Sequence, residues 1–199
     1  MPIAINGSGT VTGISAGGLP DGCIIDADIN GVAASKLSGA LPAISGASLT
    51  NVPINTDFAQ WRVTSNWSGN TDPITNFAEK EHSVDMGYSS GIFSFPTTGF
   101  WEVMFQTYCY YNGDQDNIEL HIVTTTNNSS YTTRMRSYSH MNNDDGGNLY
   151  TTLQGTYIFD VTDTSNCKVK FKTAGTSATF QTSSSSNESY AIFQRLGDT

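Results

Sequence analysis

The sequence is short of charge, of cysteine motifs and of long apolar runs. Charged residues are 14% of its 199 positions, and 9 Lys and Arg against 18 Asp and Glu leave a formal net charge of −9. Nine basic residues are too few for a broad basic face, so nucleic acid is not an expected partner, and neither is an anionic membrane. No stretch approaches the ~20 apolar residues that cross a bilayer, so membrane insertion is not expected. The start, Met1-Pro2-Ile3-Ala4, has neither a basic region nor an apolar one, so no secretory leader is expected. The three cysteines (Cys23, Cys109, Cys167) are odd in number, far apart and without CxxC. Free thiols in a reducing cytosol are the expectation, rather than a disulfide framework or a zinc knuckle.

Reactive constellations are missing as well. His82, His121 and His140 show no HxxxH spacing, no cysteine sits in a recognisable catalytic context, and no phosphate-binding GxxxxGK[ST] occurs. His121, between Leu120 and Ile122, is expected on the more polar face of a strand. Carboxylate pairs such as Asp114 with Asp116, or Asp144 with Asp145, could in principle support glycoside hydrolysis. They stand in loops without a legible cleft, so no enzymatic activity is expected.

Aromatic residues are absent from positions 1–57, and all of the 3 Trp, 9 Tyr and 10 Phe lie at or after Phe58. A segment with so little bulk cannot close its own core. Its spaced apolar residues, such as Val11, Ile14, Leu19, Leu37, Leu41 and Leu49, would find cover against copies of themselves. Ile14-Ser15-Ala16-Gly17-Gly18-Leu19 is echoed thirty residues later by Ile44-Ser45-Gly46-Ala47-Ser48-Leu49. Residues 1–57 are therefore expected to be an extended, low-bulk stalk or attachment segment that orders on trimerisation; the alternative is a flexible tether.

From Phe58 to Thr199 the chain changes character. Ser, Thr and Asn, about a third of the whole chain, suit turns and exposed strand faces. Period-two alternation predicts strands near 91–96, 100–111, 118–123, 131–140, 149–161, 167–173, 177–181 and 190–196. Turn clusters at 112–114, 126–130, 142–147, 162–166 and 182–187 separate most of them. No helical stripe is present. Eight or more short strands in ~140 residues predict an all-β sandwich or jelly roll.

At Phe93–Phe105 the spacing of Phe93, Gly99, Trp101, Val103 and Phe105 resembles the signature of C1q domains. The last strand, Ser189 to Gly197, is similar to the central final strand of such domains. The resemblance covers residues 58–199 and implies a C1q/TNF-like jelly-roll head that forms a homotrimer. Two stretches of the front segment, Asn6–Ile14 and Ser35–Thr50, resemble the stalk repeats of bacteriophage tail-fibre proteins. Together these resemblances imply a virion structural protein, made in the host cytoplasm, whose residues 1–57 meet other virion proteins.

The residues add their own argument for self-association. With Trp101, Val103 and Phe105 inward, Met104, Tyr108 and Tyr110 emerge on the other face, and Tyr190 and Ile192 do so on the last strand. Strands apolar on both faces need a partner surface, so these five residues are the expected trimer interface.

Function is then expected in loops. Tyr110, Tyr111, Asn112, Asp114 and Asp116 combine rings with amides and carboxylates, as a glycan contact does. Asn142, Asn143, Asp144 and Asp145 form a second acidic loop, and either loop offers the oxygen ligands of Ca²⁺, although the same residue types make turns for backbone reasons alone. The leading expectation is a short trimeric fibre or spike whose tip contacts a host-surface glycan. The alternatives are a capsid or tail decoration protein and a non-viral calcium-dependent C1q-like lectin.

Overall fold

Alternation of apolar and polar residues gives a sheet one buried face, and two such sheets must bury those faces on each other. The structure, a computed structural model, describes residues 57–143 and 146–199. The expectations for residues 1–56, Cys23, Asp144 and Asp145 lie outside the described residues. Among those described there are twelve strands and no helix: β1 (Phe58–Val63), β2 (Trp67–Ser68), β3 (Phe77–His82), β4 (Gly87–Ser89), β5 (Ile92–Ser94), β6 (Gly99–Tyr111), β7 (Gln115–Thr125), β8 (Thr132–Met141), β9 (Leu149–Val161), β10 (Lys168–Ala174), β11 (Thr179–Gln181) and β12 (Tyr190–Gly197).

They form two antiparallel sheets. In the first, β9 pairs with the whole of β6, from Gly99 opposite Val161 to Tyr111 opposite Leu149. The other edge of β6 is divided end to end between β12, opposite Phe100–Gln106, and β11, opposite Tyr108–Tyr110. β12 then pairs with β1 and β1 with β3, while β2 extends β11. The second sheet runs β4-β5-β10-β7-β8.

The eight predicted strands are present with shifted ends, and four more precede them. β1 alternates well, with Ala59, Trp61 and Val63 inward, but six residues give a weak periodic signal. β3 reads Phe-Ala-Glu-Lys-Glu-His and forms only because the edge of β1 supplies its hydrogen bonds. Its charges suit an edge strand, since they discourage pairing with another chain.

Aromatic rings fill the space between the sheets. Trp101, Phe93, Phe105, Phe171, Phe180 and Phe193 are fully buried. Phe105 of the first sheet stacks on Phe171 of the second, with 4.5 Å between centroids. Phe93 touches five rings: Trp61, Phe77, Tyr88, Phe171 and Phe193, at 4.9–5.8 Å. At Gly155 of β9 the terminal methyl of Met135 of β8 takes the place of a side chain: a Cβ there would lie 1.6 Å from Met135 Cε, so a larger residue would have to displace that flexible end. Cys109 and Cys167 are free and buried, and burial pushes the Cys109 thiol up to about 12.

The ring cluster makes Phe93 the most consequential core position. Phe93→Ala is expected to lower unfolding free energy by about 3–5 kcal/mol, against under about 1 kcal/mol for Tyr138→Ala, which is 59% exposed. Urea unfolding followed by tryptophan fluorescence measures both.

Candidate docking face and tip loops

Residues opposite one another in a ladder share a face, so the register of β6 defines the outer surface of the first sheet. Met104 lies between Ile192 of β12 and Thr156 of β9, and Glu102 between Gln194 and Ile158. Tyr190 lies opposite Gln106 and Arg62, and Phe58 opposite Gln194. The predicted Met104, Tyr108, Tyr110, Tyr190 and Ile192 all stand on this face.

Sequence reading missed its most exposed members. Phe58 (40%), Phe100 (40%), Tyr150 (55%) and Ile158 (56%) belong to the same face, and Leu196 (47%) follows Gln194 at the bulge in β12. Of the six exposed large apolar or aromatic side chains described, only Tyr138 is elsewhere. Two signals were available. Phe100 is in phase with Met104, and Ile158 interrupts a polar alternation. Tyr150 gave none, because it reaches the face only through its pairing with Tyr110. Its ring stacks on Tyr108 at 5.7 Å and lies 5.8 Å from Tyr110. Loss of water and the Tyr150 phenol together raise the pKa of Tyr108.

The two acidic loops meet at one end of the sandwich. The Asn143 amide N–H donates to Asp114 Oδ1 at 2.7 Å, and Asn143 Nδ2 donates to Asn112 Oδ1 at 3.2 Å and to the Gly147 carbonyl at 2.8 Å. Gln115 Oε1 accepts from Ser177 N at 2.7 Å and from Thr176 Oγ1 at 3.0 Å, which ties in the 175–178 turn. Asp116 is exposed. These polar groups build the loops themselves, the role that turn chemistry predicts for Asn and Asp.

Tyr110 and Tyr111, both expected to contribute rings to the first loop, do not stand on one side. β6 continues through both residues, so they point to opposite sides. Tyr110 stands beside Tyr150 and Tyr111 packs against the core.

His121 lies in one ladder row with Lys172 and Arg136, on the more polar strand face. It alternates with the inward Leu120 and Ile122 as expected, yet it is 3% exposed and its strand is buried on both sides from Leu120 to Thr125. In the ladder it lies between Arg136 and Lys172, whose long side chains replace water beside it. Its Nε2 is 2.6 Å from Glu119 Oε2, and Asn117 Nδ2 donates to Glu119 Oε1 at 2.6 Å. These bonds, from His121 first and Asn117 second, hold the Glu119 carboxyl below the usual carboxylate range. His121 Nδ1 has no hydrogen-bond partner.

A mixed cluster unnoticed in the sequence joins β3 to the following turn: His82 Nδ1 is 3.7 Å from Glu79 Oε2, and its Nε2 is 3.3 Å from Asp85 Oδ1. Both ring nitrogens are turned to carboxylates, and Asp85 is exposed.

No protein-family model and no curated protein matches the sequence. Solved structures do match. Eiger TNF from S. frugiperda aligns with a TM-score of 0.58 at 12% identity, over 72% of this chain and 94% of that one. Murine APRIL gives 0.54 at 11%, over 70% and 98%. The globular domain of zebrafish complement 1qA protein gives 0.51 at 8%, over 72% and 100%. The head is a C1q/TNF-like jelly roll. At such identities the likeness is one of fold, and its residues must be read on their own chemistry.

Glu119 supplies a pH test. A carboxyl whose pKa falls on folding favours the folded state fully above the ordinary carboxylate range, and ceases to as pH drops through that range toward the lowered value. Glu119→Gln is therefore expected to lower Tm at about pH 7 and to leave it nearly unchanged at about pH 3. Thermal melts across this window check it; an equal Tm loss at both ends would contradict it.

Proposed function

We propose that the chain is a homotrimeric attachment protein, the short fibre or spike of a bacteriophage, whose jelly-roll head engages a host-surface glycan. The observation that carries the trimer is the outer face of the first sheet. It carries Phe58, Phe100, Ile158, Ile192, Met104, Tyr108, Tyr110 and Tyr150, with Glu102, Gln106 and Gln194 interspersed. Exposed apolar side chains gathered on one face mark a site of association. A closed three-fold arrangement covers it on every subunit and leaves no open end for further growth. The C1q/TNF-like fold is consistent with this assembly, and the stalk resemblance of the front segment supports the setting on a virion.

The tip loops, with Asn112, Asp114, Asp116, Asn142 and Asn143, would then be presented three times on one rigid head. Three weak sites on one tip, and several tips on one particle, raise avidity without tight single contacts. Such sites need no reacting groups, and no catalytic role is proposed.

Light scattering after size exclusion tests the assembly. The full chain at micromolar concentration is expected to have about three times its subunit mass of 21.4 kDa. Met104→Lys combined with Ile192→Lys is expected to weaken association at least about tenfold, since each change buries a charge in an apolar contact. Strand content by circular dichroism should be retained. A monomeric wild-type chain would overturn the proposal.

A further inference from the structure

The opposite face of the molecule has the reverse chemistry. β10 alternates strictly, with Val169, Phe171 and Thr173 buried, so Lys168, Lys170 and Lys172 line the outer face of the second sheet. They repeat about every 7 Å along the strand. Arg136 joins them across the ladder, through the row Lys172–His121–Arg136, about 10 Å from β10. Four of the chain's nine basic residues thus share one face of a molecule whose net charge is −9. Composition alone argued against such a face; strand alternation assembles one from very few residues.

Its charge is only partly compensated within the chain. Lys170 Nζ lies 2.6 Å from Asp72 Oδ1 and 4.7 Å from the centre of the Tyr131 ring. Glu119, an acid on the face itself, accepts hydrogen bonds from His121 and Asn117 and also offsets part of the Arg136 charge. Lys168 Nζ donates to the Thr164 carbonyl at 2.9 Å, near the Asp163 carboxylate. Arg136 donates to the Tyr138 hydroxyl at 3.4 Å. The lysine row ends at an open cavity of about 440 Å³ lined by Tyr88, Ser89, Ser90, Ile92, Ser94 and Lys168. Three hydroxyls, one ammonium and an apolar wall suit a sugar ring bearing an acidic group.

We propose that this face binds a linear acidic polysaccharide, with its sulfate or carboxylate groups on Lys168, Lys170, Lys172 and Arg136 and one sugar seated in the serine-lined cavity. Charge complementarity selects a polyanion. A single-stranded nucleic acid would need a row of rings for successive bases. Tyr138 is the one large aromatic strongly exposed on this face. The face belongs to the sheet opposite the one proposed to meet other subunits, so the two readings fail separately.

The test uses the full chain and four probes in titration calorimetry: a heparin octasaccharide (sulfate-rich), an oligogalacturonate (carboxylate only), neutral dextran and a dT20 oligonucleotide. One or both acidic saccharides are expected to bind, more weakly as salt rises, and the tighter one identifies the preferred acidic group. Lys168→Gln with Lys172→Gln should weaken that binding at least tenfold, while Lys80→Gln on β3 should leave it unchanged. Lysine acetylation footprinting of the wild-type chain needs no variant to fold: the saccharide should protect Lys168, Lys170 and Lys172 but not Lys80. Absence of binding to both acidic saccharides, tighter binding of dT20, or a footprint that spares the β10 lysines would overturn the proposal.

Discussion

Strand β6 is the constraint to which the rest of the head answers. It is thirteen residues long, has neighbours on both edges over most of its length, and carries large side chains on both faces. Inward, Trp101, Val103, Phe105 and Cys109 are fully buried and close the core against Phe171 and Phe193. Outward, Phe100, Met104, Tyr108 and Tyr110 cannot be buried by the same sheet contact. A strand this apolar settles the inside of the sandwich and leaves large apolar side chains on its outside. One strand therefore shapes both the core and an exposed face.

The two outer faces of the sandwich divide the molecule chemically. On the first sheet the apolar members come from β1, β6, β9 and β12, strands far apart in sequence. On the second sheet the charge comes mainly from one strand, β10. Alternation fixes both patterns: every residue that points at the core forces its neighbours outward, whatever their chemistry. Lys168, Lys170 and Lys172 are neighbours on a surface because Val169, Phe171 and Thr173 are needed between the sheets. Specialised surfaces thus arise beside a shared core without altering it.

Long strands were legible because they repeat their period often enough. β6, β9, β10 and β12 were visible from alternation, and with them the inward and outward sets of β6. The four strands before Gly91 were not. β2 has two residues and β3 is mostly polar, so both depend on neighbours distant in sequence. The loops were legible as turns. That Asn143 would bridge Asn112 and Asp114 was not, since 29 and 31 residues separate these partners. Tyr110 and Tyr111 were rightly placed at the end of the long strand, but grouping both rings with the loop that follows overlooked that alternation turns them to opposite sides. His121 was placed on the right strand face, but its burial was not legible. The alternation was right, but long basic side chains flank it on both sides.

The buried thiols have a consequence for durability. Cys109 and Cys167 sit buried in the core with no crosslink between them. Oxidants and electrophiles need an accessible cysteine, and these two stay out of reach until the sandwich opens. Chemical ageing at these two positions is therefore gated by the rate at which the head unfolds, and every ring that slows this opening also lengthens the time the protein withstands peroxide.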